Sequence, residues 1–155
     1  MKKYLEQPDV DALNNRAADE QLANRSYQYA ANCMQKKQLR GFQAYFEAEA
    51  TAELSHYQKL RDFANDMGEE LDTPSTKEIA FKSDEIVNIL NYFLKLESDL
   101  LEAYEEMWTE ARRVAVKVFA QKMIKIQTES VGEVLDLLAE IESVGVGFVN
   151  QRLQA

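Results

Sequence analysis

Glu53 and His56 lie three residues apart, which places a carboxylate and an imidazole on one helix face, one turn apart. Both groups are ligands for iron, manganese and zinc. Acids are abundant here, so this pair alone carries little weight. Three further polar groups add to it. Glu20, Glu97 and Gln127 each interrupt a largely apolar helical stripe. Glu97 has Phe93 and Leu94 behind it and Leu100 and Leu101 ahead, whereas Glu20 has the more polar company of Arg16, Ala17, Ala23 and Asn24. A buried carboxylate is costly unless it is paired or coordinating. Several aimed at one core repel each other and rise in pKa. A pair of divalent cations removes both penalties. The competing readings are structural: a histidine on an apolar face is usually a satisfied core residue, and Glu49 also lies on its stripe, so an inward acid need not be a ligand.

The elements that must position these groups are helices. Four long stretches without internal proline carry helical period. The first covers residues 8–37, with Pro8 and Asp9 suited to a first turn and a stripe of Leu13, Ala17, Glu20, Ala23, Tyr27, Ala31 and Met34. The second covers residues 39–67 and stops at Gly68, a favourable C-cap. The third begins near Ser83, a capping residue ahead of Ile86. The fourth carries Ala120, Met123, Gln127, Val131, Val134, Leu138 and Ile141, and Gly145 and Gly147 end it. No Gly or Pro separates helices three and four, and one helix over that interval is too long for a compact domain. A break near residues 106–113, with Thr109 as N-cap, is expected. Residues 148–155 have room for one or two further helical turns.

Connection lengths set the topology. Helices one and two meet through a few residues and must be antiparallel neighbours. Segment 68–82 is too long for a tight turn. Extended, it reaches about 50 Å, and a helix of roughly 28 residues is about 42 Å long. The segment can therefore cross the length of a bundle. The expected fold is all-α, an antiparallel four-helix bundle with one long crossover and a short C-terminal fifth helix, in one domain over residues 1–155.

Composition narrows the function. Five Gly and two Pro in 155 residues are too few for the turns of a β-sandwich or barrel. A net charge of −9 argues against nucleic acid as partner and suits attraction of cations. No apolar run approaches a membrane span, and residues 1–8 lack the apolar stretch of a signal peptide. A cytoplasmic location is the expectation. Cys33, the single cysteine, cannot form an intramolecular disulfide.

Residues 39–60 resemble the second helix of non-haem ferritins of bacterial type: Leu39-x-Gly41-Phe42, Phe46, Glu53-x-x-His56 and Lys59-Leu60 fall in the family's order. The resemblance runs over nearly the whole chain. Glu20 and Tyr27, seven apart, match a ligand Glu and a nearby Tyr; Glu97 matches a ligand Glu; Gln127 matches the family's Gln. The resemblance implies a diiron ferroxidase centre. Glu20, Glu53 and His56 would hold one iron, with Glu53 bridging, and Glu53 and Glu97 the second, with Gln127 as a hydrogen-bonding neighbour. Dioxygen or peroxide would oxidise Fe(II), and the ferric product would mineralise inside a homo-oligomeric, 24-subunit shell. Tyr27 would bond a ligand or donate an electron, or serve only as a core aromatic.

Departures from the family pattern refine this. The positions of a third iron site read Ala52, Ile126, Glu129 and Ser130, so that site is expected to be absent or weak. The fourth helix has no second Glu-x-x-His, unlike bacterioferritin and rubrerythrin. Leu54 replaces the haem-ligand Met, so no haem is expected, and no rubredoxin-like Cys pairs occur. The fifth helix is shorter than usual, which bears on the 24-subunit expectation. The rivals are a non-storage diiron oxidase or peroxidase, a smaller shell of the DNA-protecting starvation type, and a purely structural bundle.

Overall fold

The computed structural model describes residues 3–72, 77–79, 81 and 83–155. Among these, five helices and no strands occur: α1 Gln7–Lys36, α2 Arg40–Asp66, α3 Ile86–Glu110, α4 Val114–Val144 and α5 Val146–Leu153. The expected all-helical class and the order of elements hold. Part of the crossover, residues 73–76, 80 and 82, lies outside the described residues.

Two apolar clusters reveal the direction of each helix. One joins Ala30 and Met34 late in α1, Phe42 and Phe46 early in α2, Ile89 and Phe93 early in α3, and Leu137 and Ile141 late in α4. The other joins Leu13 and Ala17 early in α1, Leu60 and Ala64 late in α2, Tyr104 and Met107 late in α3, and Val116 and Ala120 early in α4. Helices α1 and α4 therefore run one way, and α2 and α3 the other. The chain must traverse the bundle between Asp66 and Ile86, as the length of that connection required.

Local signals account for some boundaries. Gly68 adopts φ +79° after α2. The Glu69 N–H then donates to the Ala64 carbonyl at 2.8 Å, satisfying a late helical acceptor. Three expected boundaries need correction. α3 begins at Ile86, not near Ser83; the Ser83 hydroxyl accepts instead from the Glu85 N–H at 3.1 Å, just outside the helix. Gly147 does not end α4. Gly145 does, at φ +89°, and Gly147 lies inside α5.

The third correction concerns the α3–α4 break. It falls where expected, but Thr109 is not its cap; its hydroxyl donates to the Glu105 carbonyl within α3. The cap comes from the far end of the sequence. Asp9, only 2% exposed, accepts the Arg112 N–H at 2.9 Å and the Arg113 N–H at 3.0 Å with its two carboxylate oxygens. A charged acceptor bonded to two N–H groups at a helix start is strongly favourable. Lys117 completes the corner, donating to the Trp108 carbonyl at 2.7 Å with its ammonium 5.0 Å from the Trp108 ring centre. Asp9→Ala is expected to cost about 2–3 kcal/mol by leaving both N–H groups unpaired, measured by denaturant unfolding. A loss below about 0.5 kcal/mol would contradict this cap.

A similar long-range cap begins α2. Asn150 of α5 accepts the Gly41 and Phe42 N–H groups at 2.9 and 3.2 Å. A Cβ on Gly41 would fall 1.9 Å from the Asn150 carbonyl oxygen. Gly41 is therefore needed for close approach of α5. Gly41→Ala is expected to displace α5 and cost about 1–3 kcal/mol, with faster amide exchange in residues 146–153. Unchanged exchange there would show that α5 docks by other contacts.

Candidate metal centre

Between the two apolar clusters, at mid-height, six polar side chains fill the bundle axis. Glu20, Tyr27, Glu53, Glu97 and Gln127 have no exposed surface, and His56 is 7% exposed. All six residues read from the sequence are brought together. Despite its more polar neighbours in sequence, Glu20 is buried as fully as Glu97.

Each helix contributes for a periodic reason. Glu20 and Tyr27 are two turns apart on α1, and Glu97 and Tyr104 are two turns apart on α3. The two helices are antiparallel, so the pairs interlock. The Tyr27 hydroxyl donates to Glu97 Oε1 at 2.6 Å, and the Tyr104 hydroxyl donates to Glu20 Oε1 at 2.7 Å. Each tyrosine fixes one oxygen of the carboxylate opposite. From α4, the Gln127 amide donates to the Glu97 backbone carbonyl at 2.9 Å and also contacts Glu97 Oε2. From α2, His56 Nδ1 lies 3.1 Å from Glu53 Oε2 and 3.4 Å from Glu20 Oε2. Tyr104 was not recognised from the sequence as part of this site. The repeated Glu-x6-Tyr spacing on α1 and α3 is the signal that points to it.

Burial and mutual repulsion dominate the electrostatics. Burial, followed by the Glu20 carboxylate, pushes Glu53 up to about 7. Burial and then Glu53 push Glu97 up to about 8, against the lowering effect of the Tyr27 and Gln127 hydrogen bonds. Burial lowers His56, but Glu20 and Glu53 outweigh it and hold the imidazole at about 10. Burial raises Tyr27 well above the usual phenol range, helped by Glu97, so its hydroxyl stays a donor. One turn before Glu53, half-buried Glu49 is pushed to about 8 by burial and by Glu133 of α4.

Glu20 Oε2, Glu53 Oε1 and Gln127 Oε1 are buried without a hydrogen-bond partner. Buried polar atoms normally find one. One ligand atom from each of Glu20, Glu53 and His56 lies within 4.8 Å of the others. Oxygen atoms with unused lone pairs, an imidazole, and acids held above their normal pKa make a donor set suited to divalent cations. The groups therefore fit a metal. Leu54, at the family's haem-ligand position, is 46% exposed on the outside of the bundle.

A bundle with this direction pattern and an acidic mid-height centre defines a ferritin-like protein. A model of the Ferritin-like domain matches residues 10–144, and the chain belongs to the ferritin-like family. Among solved structures it is similar to an open pore ferritin from the hyperthermophilic archaeon Archaeoglobus fulgidus, with a TM-score of 0.92 and 20% identity over 97% of this chain and 98% of that one. It is equally similar to a closed form engineered from that ferritin, with a TM-score of 0.92 and 20% identity over 97% of this chain and 96% of that one. A humanized archaeal ferritin gives the same score and identity, covering 97% of each chain. At that identity the likeness bears on the fold. No curated protein sequence matches the chain. Among the described residues, no helix is long and apolar enough to cross a membrane.

Proposed function

We propose that this chain is a ferritin, a single domain that oxidises Fe(II) at an intrasubunit diiron centre and stores the ferric product as a mineral within a homo-oligomeric shell. The observation that carries this reading is that Glu20 Oε2 and Glu53 Oε1 are buried without a hydrogen-bond partner, and that these two carboxylates and His56 bring ligand atoms within 4.8 Å of one another. Glu20, Glu53 and His56 would hold one ferrous ion, and Glu53 and Glu97 a second. Tyr104 and Tyr27 orient Glu20 and Glu97, and Gln127 steadies Glu97. Ligation by anionic oxygen favours the ferric over the ferrous state, and dioxygen or peroxide would take the electrons. A cytoplasmic location fits this reading.

Adding Fe(II) anaerobically and then air is the test. A fast absorbance rise that saturates near two Fe(II) per chain, followed by a soluble mineral, is the expected result. Light scattering after size exclusion tests storage: a monomer or dimer without mineral would leave only a non-storage oxidase. Absence of any fast phase would reject the diiron centre.

A further inference from the structure

Seven aromatic rings form one continuous network that starts at the metal centre. Tyr27, bonded to Glu97, stacks on Phe93 with ring centres 3.9 Å apart and planes 3° from parallel. Phe93 meets Tyr92 at 5.3 Å and Phe81 at 5.8 Å, and those two rings meet at 4.7 Å. Phe81 reaches Tyr29 at 5.2 Å. Tyr29 is 44% exposed. With Phe81 and half-buried Cys33 it borders an open cavity of roughly 440 Å³. Phe46 and Tyr45 continue the network on the other side of Tyr27. Packing alone explains a cluster of aromatics. It does not explain why tyrosines occur at the centre, midway and at the surface. The separate Phe63–Phe119 stack contains no tyrosine.

We propose that Tyr29, Tyr92 and Tyr27, bridged by Phe81 and Phe93, carry single electrons inward from the surface to the metal centre. The inference rests on the iron-oxidising reading above. An unpaired ferrous ion and hydrogen peroxide give ferric ion, hydroxide and a hydroxyl radical. That radical needs one electron to become hydroxide. Tyr27 supplies it, and the phenol proton moves to Glu97 Oε1, 2.6 Å away. An electron from Tyr92 then refills Tyr27, which takes its proton back from Glu97. Tyr92 loses and regains its own proton at a hydroxyl that lies 3.5 Å from Ser26 Oγ. Tyr29 refills Tyr92 and releases its proton to solvent. The balance is one hydroxyl radical and one Tyr29 phenol converted to water and a surface tyrosyl radical. A small thiol or enediol reaching the cavity restores Tyr29 by giving a hydrogen atom.

Tyr4 provides an internal control, because its exposure of 41% is similar to that of Tyr29 and it lies at the other end of the bundle, with the Arg113 guanidinium 5.9 Å from its ring centre. The full chain is loaded with one Fe(II), mixed with hydrogen peroxide and frozen at intervals. Tyrosyl radical is followed by electron paramagnetic resonance, and oxidised tyrosines are located by peptide mass spectrometry. Tyr29 is expected to be oxidised several-fold more than Tyr4. Tyr92→Phe should reduce Tyr29 oxidation to the Tyr4 level and lengthen the lifetime of the radical. Equal oxidation of Tyr29 and Tyr4 in the unaltered chain, or an unchanged pattern in Tyr92→Phe, overturns the route. Iron oxidation in the same samples separates the failures. Normal ferrous oxidation with either pattern rejects the route alone, whereas no ferrous oxidation rejects the iron reading and the route with it.

Discussion

Glu53→Gln will abolish the fast ferrous oxidation phase while leaving the metal-free protein as stable as before or more so. Glu53 is the residue on which both proposed ion positions depend, and its buried Oε1 has no partner. The amide keeps the shape of the side chain and removes a charge that burial and Glu20 already disfavour. A purely structural role predicts a different result, a loss of stability without metal. Loss of even a supporting residue costs about 10–100-fold in metal affinity, so removing a shared ligand is expected to exceed that range. The measurement pairs stopped-flow absorbance with thermal unfolding in the presence and absence of Zn(II), which binds without redox chemistry. In the unaltered chain, Zn(II) at about one hundred times its dissociation constant adds about 2.7 kcal/mol. In Glu53→Gln that gain should disappear. A variant that retains the fast phase and the Zn(II) gain would remove Glu53 from the centre.

Stability of the metal-free protein will fall as pH rises from about 5 to about 9, and a bound divalent cation will flatten or reverse the trend. The ordinary values are 4.5 for Glu53 and Glu97 and 6.5 for His56; in the fold they stand at about 7, about 8 and about 10. Burial first, then neighbouring acids, raises the carboxylates. For His56 burial acts the other way, and Glu20 with Glu53 prevails. All three values are raised, so the folded chain keeps protons that the unfolded chain has released. Raising pH then favours unfolding. The carboxylates lose their contribution between about 4.5 and 8, and the imidazole between about 6.5 and 10. Each pKa unit is worth about 1.4 kcal/mol. The three groups share protons, so a combined loss of about 3 kcal/mol is expected rather than the full sum. A metal ion needs deprotonated ligands and displaces these protons, which makes its stabilisation grow over the same interval. Denaturant unfolding at several pH values, with and without Zn(II), measures both slopes. A metal-free stability that rises with pH would show that the cluster is compensated by groups other than those described.

Much of the site was legible because helical period is a local property. Glu53 and His56 share a face at any position in any bundle, and the same arithmetic places Glu20 and Tyr27 on one stripe. Apolar neighbours then tell which face turns inward, as they did for Glu97. The length of segment 68–82 compared with a helix implied the crossover before any contact was known. Gln127 interrupts its stripe in the same way, and the family resemblance supplied its expected role as a hydrogen-bonding neighbour.

Other features were hidden because their causes are distant in sequence. The α3–α4 break has no Gly or Pro to mark it, since Asp9 supplies the missing acceptors from about one hundred residues away. Thr109 looked suitable by composition, but a helix start is decided by whichever acceptor reaches the free N–H groups. Gly41 looked like a motif residue; only the approach of Asn150 shows why a side chain is not tolerated there. The spacing of Tyr104 from Glu97 is local, but only the antiparallel arrangement of α1 and α3 brings its hydroxyl to Glu20.

By itself, the sequence determined that this protein forms long amphipathic helices with one acid, or an acid and an imidazole, turned inward on each of three of them. Tertiary structure alone decided which oxygen each tyrosine would occupy, which oxygens would remain without partners, and which distant side chains would start α2 and α4. The reason is range. Side-chain direction along a helix follows from a repeat of 3.6 residues, whereas hydrogen-bond satisfaction in a core depends on groups that meet only after the helices have packed.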